Sequence, residues 1–312
     1  MAAAPGWCSC QPAIVLNARR QFGRTYLSGQ LYTMGYINYN GKLYREDTAI
    51  VGADDRGLRY GDGLFETMKV EEGRIIFKDA HFERLWQGMG VLEMLVPSYL
   101  TREMLAGEIE LLCRKNNCTA AARVRLSIIR GKGGLYDSLD EAPYYIIQAW
   151  PLPTGVGTWN DTGLVAGIYP EVRKSCDLLS NLKHNNYLLY VMGALHAKKQ
   201  GWNDAIILNT QERVCDSTIA NVFIIKNGVV YTPALAEGCV AGVMRKMLLQ
   251  ALPGFGFEWK EQAITTEELQ SADEIFFTNS MFNIRSVQRL GEREYGQTIT
   301  REIYALFLPT IC

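Results

Sequence analysis

Histidine is scarce in this sequence, with three in 312 residues, so a multi-histidine metal site has almost no ligands to draw on. The eight cysteines include no CxxC and no Cys/His cluster with zinc spacing. Cys8 and Cys10 form a CxC without a second pair to complete a site. The expectation is reduced thiols in a cytoplasmic protein and no bound metal. No apolar run reaches the ~18–20 residues that cross a bilayer. The apolar piece at residues 12–16 lacks the length and the preceding basic residues of a signal peptide. Charge of one sign is missing as well: 32 basic residues face 33 acidic ones, well mixed, for a net charge of −1. That pattern speaks against nucleic acid and against an anionic membrane surface as partners.

What is present is an ordinary globular composition, 48% hydrophobic and 21% charged. The length predicts roughly two domains of ~100–200 residues each, with a core large enough to need no disulfide or metal staple. Residues 1–33 read as a poorly ordered extension or an upstream start. From 34 to 150, strands, two helices and further strands predict a smaller α/β domain. Turns are expected at Asn40-Gly41 and Glu72-Gly73. Helices are expected over about 79–95 and from the cap Thr101 to about Lys115. The run "PLPTGVGTW", 151–159, is the interdomain linker. The larger domain, 160–312, has strands near 164–169, at "DAIILNT" and at "EIFFTNS", and a hairpin at Asn227-Gly228. It also has a helix opening at Gly242 and a capping box at Thr265/Glu268. The class is α+β, with two α/β domains.

Three segments carry chemistry. The stretch 178–202, "LLSNLKHNNYLLYVMGALHAKKQGW", reads as a helix that stops at Gly201, with Lys183 at its apolar start. A lysine there is either a desolvated amine of lowered pKa, ready to form a Schiff base with a carbonyl, or a surface amine reached along its alkyl stem. Asp216 in "VCDSTIANVF" is placed either to pair with a cationic ring nitrogen or to bond its own turn. "GCVAGVMRK" is a glycine-rich loop entering a helix. Its first N–H groups, near Val243 and Met244, would suit a phosphate; the alternative is a plain turn, and it is not a P-loop. An aldehyde for the lysine, a ring cation for the carboxylate and a phosphate for the helix end describe one ligand, pyridoxal phosphate.

Six motifs then stand in one order: "RGLRYGDGLFET", "HFERL", "LKHNNYLL", "DSTIANVFIIKNGVVYTP", "GCVAGVMR" and "EIFFTNSMFNIRSV". Over about residues 36–290 the chain resembles the class IV aminotransferases, the fold-type IV pyridoxal-phosphate enzymes. That family includes branched-chain and D-amino-acid aminotransferases and aminodeoxychorismate lyase. The resemblance implies an active site between the two domains and a homodimer. It makes Lys183 the Schiff-base lysine and Asp216 the partner of the pyridine nitrogen, one methylene shorter than the family's glutamate. It assigns the phosphate to Arg84, to Gly242 with the N–H groups of Val243 and Met244, and to Ser280. Met244 replaces a common threonine, so one hydroxyl is lost. Asn186 and Tyr187 would approach the cofactor, although Tyr187 also suits the core. Arg125 and Asn279 fall on the substrate side, with a structural strand arginine as the other reading of Arg125. Leu135 and Asp137 stand where the D-amino-acid enzymes hold an Arg and a His, which disfavours that activity. The implied reaction is amino transfer from a branched-chain-like amino acid to a 2-oxo acid. "KHNN", "GVMR", "RGKGG" and Asn279-Ser280 lean instead towards the lyase, which releases pyruvate and forms 4-aminobenzoate. A non-catalytic pyridoxal-phosphate binder is a third reading.

Overall fold

The structure, a computed structural model, describes residues 35–136 and 142–311. The expected N-terminal extension and Asp137 lie outside the described residues. Asn40 and Gly41 both take positive φ, 52° and 84°, the conformation a tight hairpin turn demands. They join β1 (Tyr36–Tyr39) to β2 (Lys42–Arg45). A short helix, α1 (Arg56–Tyr60), is capped by Asp55 and leads into β3 (Gly63–Glu71), of which seven of nine residues are buried. Glu72 and Gly73 turn the chain into β4 (Arg74–Ile75), followed by α2 (Lys78–Val91) and α3 (Arg102–Lys115). The strands β5 (Ala121–Arg130) and β6 (Pro143–Pro151) complete an antiparallel sheet in the order β2-β1-β6-β5-β3-β4. Leu85, Met89, Leu105, Ile109 and Leu112 of α2 and α3 bury against Met68, Val124 and Leu126 of the sheet.

Thr101 caps α3 as expected, accepting from the Met104 N–H at 3.1 Å. The helix α2 stops short of the predicted residue 95. Glu93 takes a left-handed φ of 53°, and the N–H groups of Glu93 and Met94 return to the carbonyls of Gly90 and Met89. This is a Schellman closure. The apolar residues beyond it, Leu92 and Met94, still pack on the core, so the hydrophobic pattern outlasts the helix.

The second sheet begins with β7 (Leu164–Ile168), α4 (Leu188–Gln200), β8 (Asp204–Leu208) and β9 (Val214–Ser217). It continues with the hairpin β10 (Asn221–Lys226) and β11 (Val229–Pro233), turned at Asn227-Gly228, then α5 (Val243–Ala251) and β12 (Trp259–Gln262). The helix α6 (Thr266–Gln270) carries the predicted capping box. Last come β13 (Glu274–Asn279), β14 (Asn283–Leu290), β15 (Arg293–Glu294) and α7 (Thr298–Phe307). The order is β12-β11-β10-β13-β14-β7-β8-β9, and β9 pairs again with β10 through Asp216 and Asn221. Six strands, β10-β13-β14-β7-β8-β9, thus close on themselves, and Asp216 lies at the closure. One cluster gathers Ile206, Val222, Ile275 and Val287; a second joins Phe223 and Phe276 to α5 and α7 through Leu248 and Phe307. Among the described residues no helix is long and apolar enough to cross a membrane.

The Phe223 and Phe276 rings stack at 4.8 Å and 9° with no exposure. Phe223→Ala is expected to lower stability by about 3–5 kcal/mol, read as a lower urea midpoint of the cofactor-free protein. An unchanged midpoint would contradict this packing.

Candidate active site

Lys183 is not in a helix. The helix α4 begins only at Leu188, and residues 183–185 run as an extended segment along the start of β3. The Phe65 N–H donates to the Lys183 carbonyl at 2.9 Å, and the Asn185 N–H donates to the Gly63 carbonyl at 2.9 Å. Leu64 and His184 face each other between these bonds. A helix through 183 would need these same backbone groups, so tertiary pairing overrides local propensity. Gly63 permits the approach, because a β-carbon there would lie 2.6 Å from the Asn185 amide nitrogen and collide with the Ile128 carbonyl. Upstream, the Asn181 side-chain amide donates to the carbonyls of Leu235 and Cys239 at 2.8 and 2.6 Å, and the Asn181 backbone carbonyl accepts from Ala241 N–H at 3.0 Å. The lysine segment is therefore tied both to β3 and to the loop that enters α5.

The Lys183 amine lies 4.6 Å from the centroid of the Phe65 ring and 5.4 Å from that of Tyr187. Burial brings its pKa down to about 7; Arg84 and Arg125 push the same way, while Glu66 and Asp216 oppose them. A large fraction of the amine is neutral near pH 7, as a nucleophile at a carbonyl must be. Asp216 presents the opposite case. Its Oδ2 accepts from Lys174 Nζ at 3.0 Å, Tyr190 Oη at 2.8 Å and Val240 N–H at 3.0 Å, and its Oδ1 accepts from Asn221 Nδ2 at 3.0 Å. Burial disfavours the Lys174 ammonium, but the charge and hydrogen bond of Asp216, together with the nearby Cys215 and Cys239, raise its pKa overall. Burial and Asp216 also raise the Tyr190 phenol, which stays protonated and donates. The Tyr187 ring lies 4.3 Å from that of Tyr190, tilted by 31°, and burial raises its phenol too.

A second charged cluster joins β3 to α2 and the entry of α5. Arg84 Nε donates to Glu66 Oε1 at 2.8 Å, its second guanidinium nitrogen pairs with Oε2, and its third donates to the Ala241 carbonyl at 3.0 Å. Burial would raise the Glu66 pKa, but Arg84 and His81 beside it hold it at about 2. His81 Nδ1 lies 2.7 Å from Glu66 Oε2, and its Nε2 lies 3.4 Å from Ser280 Oγ. Burial lowers the His81 pKa, as do Arg84 and Lys183, so a neutral ring donates from Nδ1 to the ionised Glu66. Gly242 is the N-cap of α5, where a β-carbon would collide with the Asn221 amide oxygen. The N–H groups of Val243 and Met244 follow it, ahead of the first helical bond from Lys246 to Gly242. Two N–H donors of Arg84 remain beyond its three bonds.

On the other side of Lys183, the Arg125 guanidinium sits 3.7 Å from the Phe65 centroid and bonds Ser127 Oγ at 3.3 Å and Asn185 Oδ1 at 3.4 Å. Burial lowers its pKa, and among the described residues it forms no ion pair. The structure thus brings Lys183, Arg84, Arg125, Tyr187, Asp216, Ser280 and the α5 entry into one region. Asn186 is exposed, with its backbone against Gly61. The Asn279 amide oxygen accepts from Met281 and Phe282 N–H at 2.9 and 3.0 Å in its own turn, and its nitrogen donates to the Ile219 carbonyl at 3.3 Å. Sequence reasoning passed over Phe65, Glu66, His81, Lys174, Asn185 and Tyr190. A glutamate inside the apolar strand "GLFETMKV" was a usable signal for Glu66. Lys174, in an ordinary polar loop, offered none.

The family model of class IV amino-transferases matches residues 63–290. The chain is 30% identical over 242 residues to an aminodeoxychorismate lyase of Vibrio harveyi, covering 77% of this chain and 87% of that one. It is 28% identical to a branched-chain-amino-acid aminotransferase of Pseudomonas aeruginosa, covering 84% and 87%. Its structure is similar to that of a branched-chain aminotransferase from Thermoproteus uzoniensis, at a TM-score of 0.81, 25% identity and coverage of 89% and 95%.

In cofactor-free protein, pulse acetylation followed by peptide mass spectrometry should show Lys183 reacting with a midpoint at about pH 7, while the Lys174 ammonium stays protected. A Lys183 midpoint near that of surface lysines would contradict the dry setting of its amine.

Proposed function

This chain belongs to the class IV aminotransferase family, and we propose that it is a pyridoxal-phosphate-dependent enzyme transferring the amino group of an amino acid to a 2-oxo acid. Membership implies the cofactor, and the residues present fit it. The cofactor supplies an aldehyde that takes up amines and a ring that withdraws electrons from the α-carbon of a bound amino acid. Lys183 Nζ would bond the aldehyde carbon and, once displaced by substrate, take the proton from that α-carbon. Asp216 would hold the ring nitrogen through the acceptor site left on Oδ1. The two spare N–H donors of Arg84, the N–H groups of Val243 and Met244 after Gly242, and Ser280 Oγ would hold the phosphate. Tyr187 and Asn186 would flank the ring. Met244 supplies no hydroxyl; its side chain is buried.

Amino transfer is supported by Arg125, a guanidinium beside Lys183 without a carboxylate partner among the described residues. One free cation suits the single carboxylate of an ordinary amino acid, and the Phe65 and Tyr187 rings beside it suit an apolar, branched-chain-like side chain. Asn279, held in its turn, would shape the wall of the substrate side. The second reading is aminodeoxychorismate lyase. It is supported by the 30% identity to the Vibrio harveyi lyase, but a substrate with two carboxylates calls for a second donor. The presence of Lys183 at the centre of this cluster, beside Phe65 and Tyr187, speaks against the third reading, a non-catalytic binder.

A homodimer is supported by the outer face of α4, where Leu188, Val191, Met192 and Leu195 are exposed at helical spacing, with Leu178 and Leu179 also exposed. Sedimentation velocity should give twice the chain mass; a monomer at micromolar concentration would remove this proposal. The purified protein should show a visible absorbance band that Lys183→Ala abolishes; a band that survives would sink the assignment. With L-leucine and 2-oxoglutarate it should form glutamate. Pyruvate and 4-aminobenzoate from aminodeoxychorismate would establish the lyase instead, and turnover of neither substrate would favour the binder. Asp216→Asn should keep the band and lose most of the turnover.

A further inference from the structure

The cofactor-facing carboxylate already has a counter-ion of its own. Lys174 Nζ lies 3.0 Å from Asp216 Oδ2, with side-chain exposures of 7% and 3%. Its backbone is fixed beside β8 by a bond to the Leu208 carbonyl at 2.9 Å and one from Thr210 N–H at 3.0 Å, and its ammonium lies 5.2 Å from the Tyr190 centroid. Lys174 therefore cannot swing away to solvent without breaking a packed site.

The other titratable groups facing this pair are the phenols of Tyr187 and Tyr190, the thiols of Cys215 and Cys239, His184, and the Lys183 amine. Burial raises both phenols and both thiols and lowers His184, so these five are neutral across the working range. The pair itself sums to zero. A protonated ring nitrogen beside it would leave one net positive charge in a dry site, whereas a carboxylate without Lys174 would neutralise that charge. An opposite charge within hydrogen-bond distance favours the ionised form of its partner, and a like charge nearby disfavours it.

Resting on the pyridoxal-phosphate reading, we infer that Lys174 is a positioning residue that acts through Asp216: it shares that carboxylate's charge and lowers the proton affinity of the cofactor's ring nitrogen. The site thus moderates the electron-withdrawing power of the ring instead of maximising it. Tyr190 and Asn221 hold the carboxylate in place and contribute no net charge.

The test is the 15N NMR shift of the ring nitrogen in protein loaded with ring-15N pyridoxal phosphate. In the wild type the nitrogen should lose its proton between about pH 6 and 9, with the proton going to solvent. Lys174→Met should move this titration up by about one unit or more, and Lys174→Arg, which keeps the charge, should follow the wild type. A wild-type pyridinium signal across the whole range overturns the inference, whether or not Lys174→Met folds. So does a Lys174→Met titration that stays in place or moves down. Protein that takes up no pyridoxal phosphate overturns the functional reading itself, which separates the two failures.

Discussion

Two backbone hydrogen bonds, from Phe65 N–H to the Lys183 carbonyl and from Asn185 N–H to the Gly63 carbonyl, set the register on which the site depends. Each contributes only about 1 kcal/mol to stability; their importance is geometric. Successive side chains of an extended segment point to opposite faces, so a slip of one residue would exchange them. In the register found, Lys183 and Asn185 share the side of Phe65 and Arg125, while His184 alternates away from them. That accounts for the histidine beside the reactive lysine without giving it a chemical task. Its Nδ1 is buried without a hydrogen-bond partner among the described residues, a cost of the strand pairing.

The site then separates two lysines by environment. Lys183 has aromatic rings and two guanidinium groups around it, so desolvation and like charge act together on its amine. Lys174 has a carboxylate at hydrogen-bond distance, the main one of the influences that together outweigh its burial. The same logic separates Arg84 from Arg125. Glu66 takes up part of the Arg84 guanidinium and fixes its plane beside the α5 entry, while Arg125 bonds only the neutral groups of Ser127 and Asn185. A desolvated cation is costly unless it is paired; Arg84 meets that condition through Glu66, while Arg125 has only neutral hydrogen-bond partners among the described residues.

Much of the fold was legible because its signals are local. Asn-Gly turns, the Thr101 cap, the Thr265/Glu268 box and the Gly242 opening each need only neighbouring residues, and each is found where its chemistry placed it. What sequence could not show is non-local. The segment before Leu188 has helical composition, yet its hydrogen bonds go to a strand more than a hundred residues earlier. The end of α2 was masked because Leu92 and Met94 keep the apolar spacing after the backbone has turned. Asp216 was legible as a charged residue in a strand context, but its partners Lys174, Tyr190 and Asn221 meet it only when β9 pairs with β10.

The central claim is that one of two neighbouring lysines is the free amine of the site and the other a locked ammonium. Borohydride reduction of the protein loaded with pyridoxal phosphate, followed by proteolysis and fragment mass spectrometry, tests it most directly. The account predicts the pyridoxyl group on Lys183, with Lys174 unmodified. A pyridoxyl group on Lys174, or spread over surface lysines with none on Lys183, would contradict it.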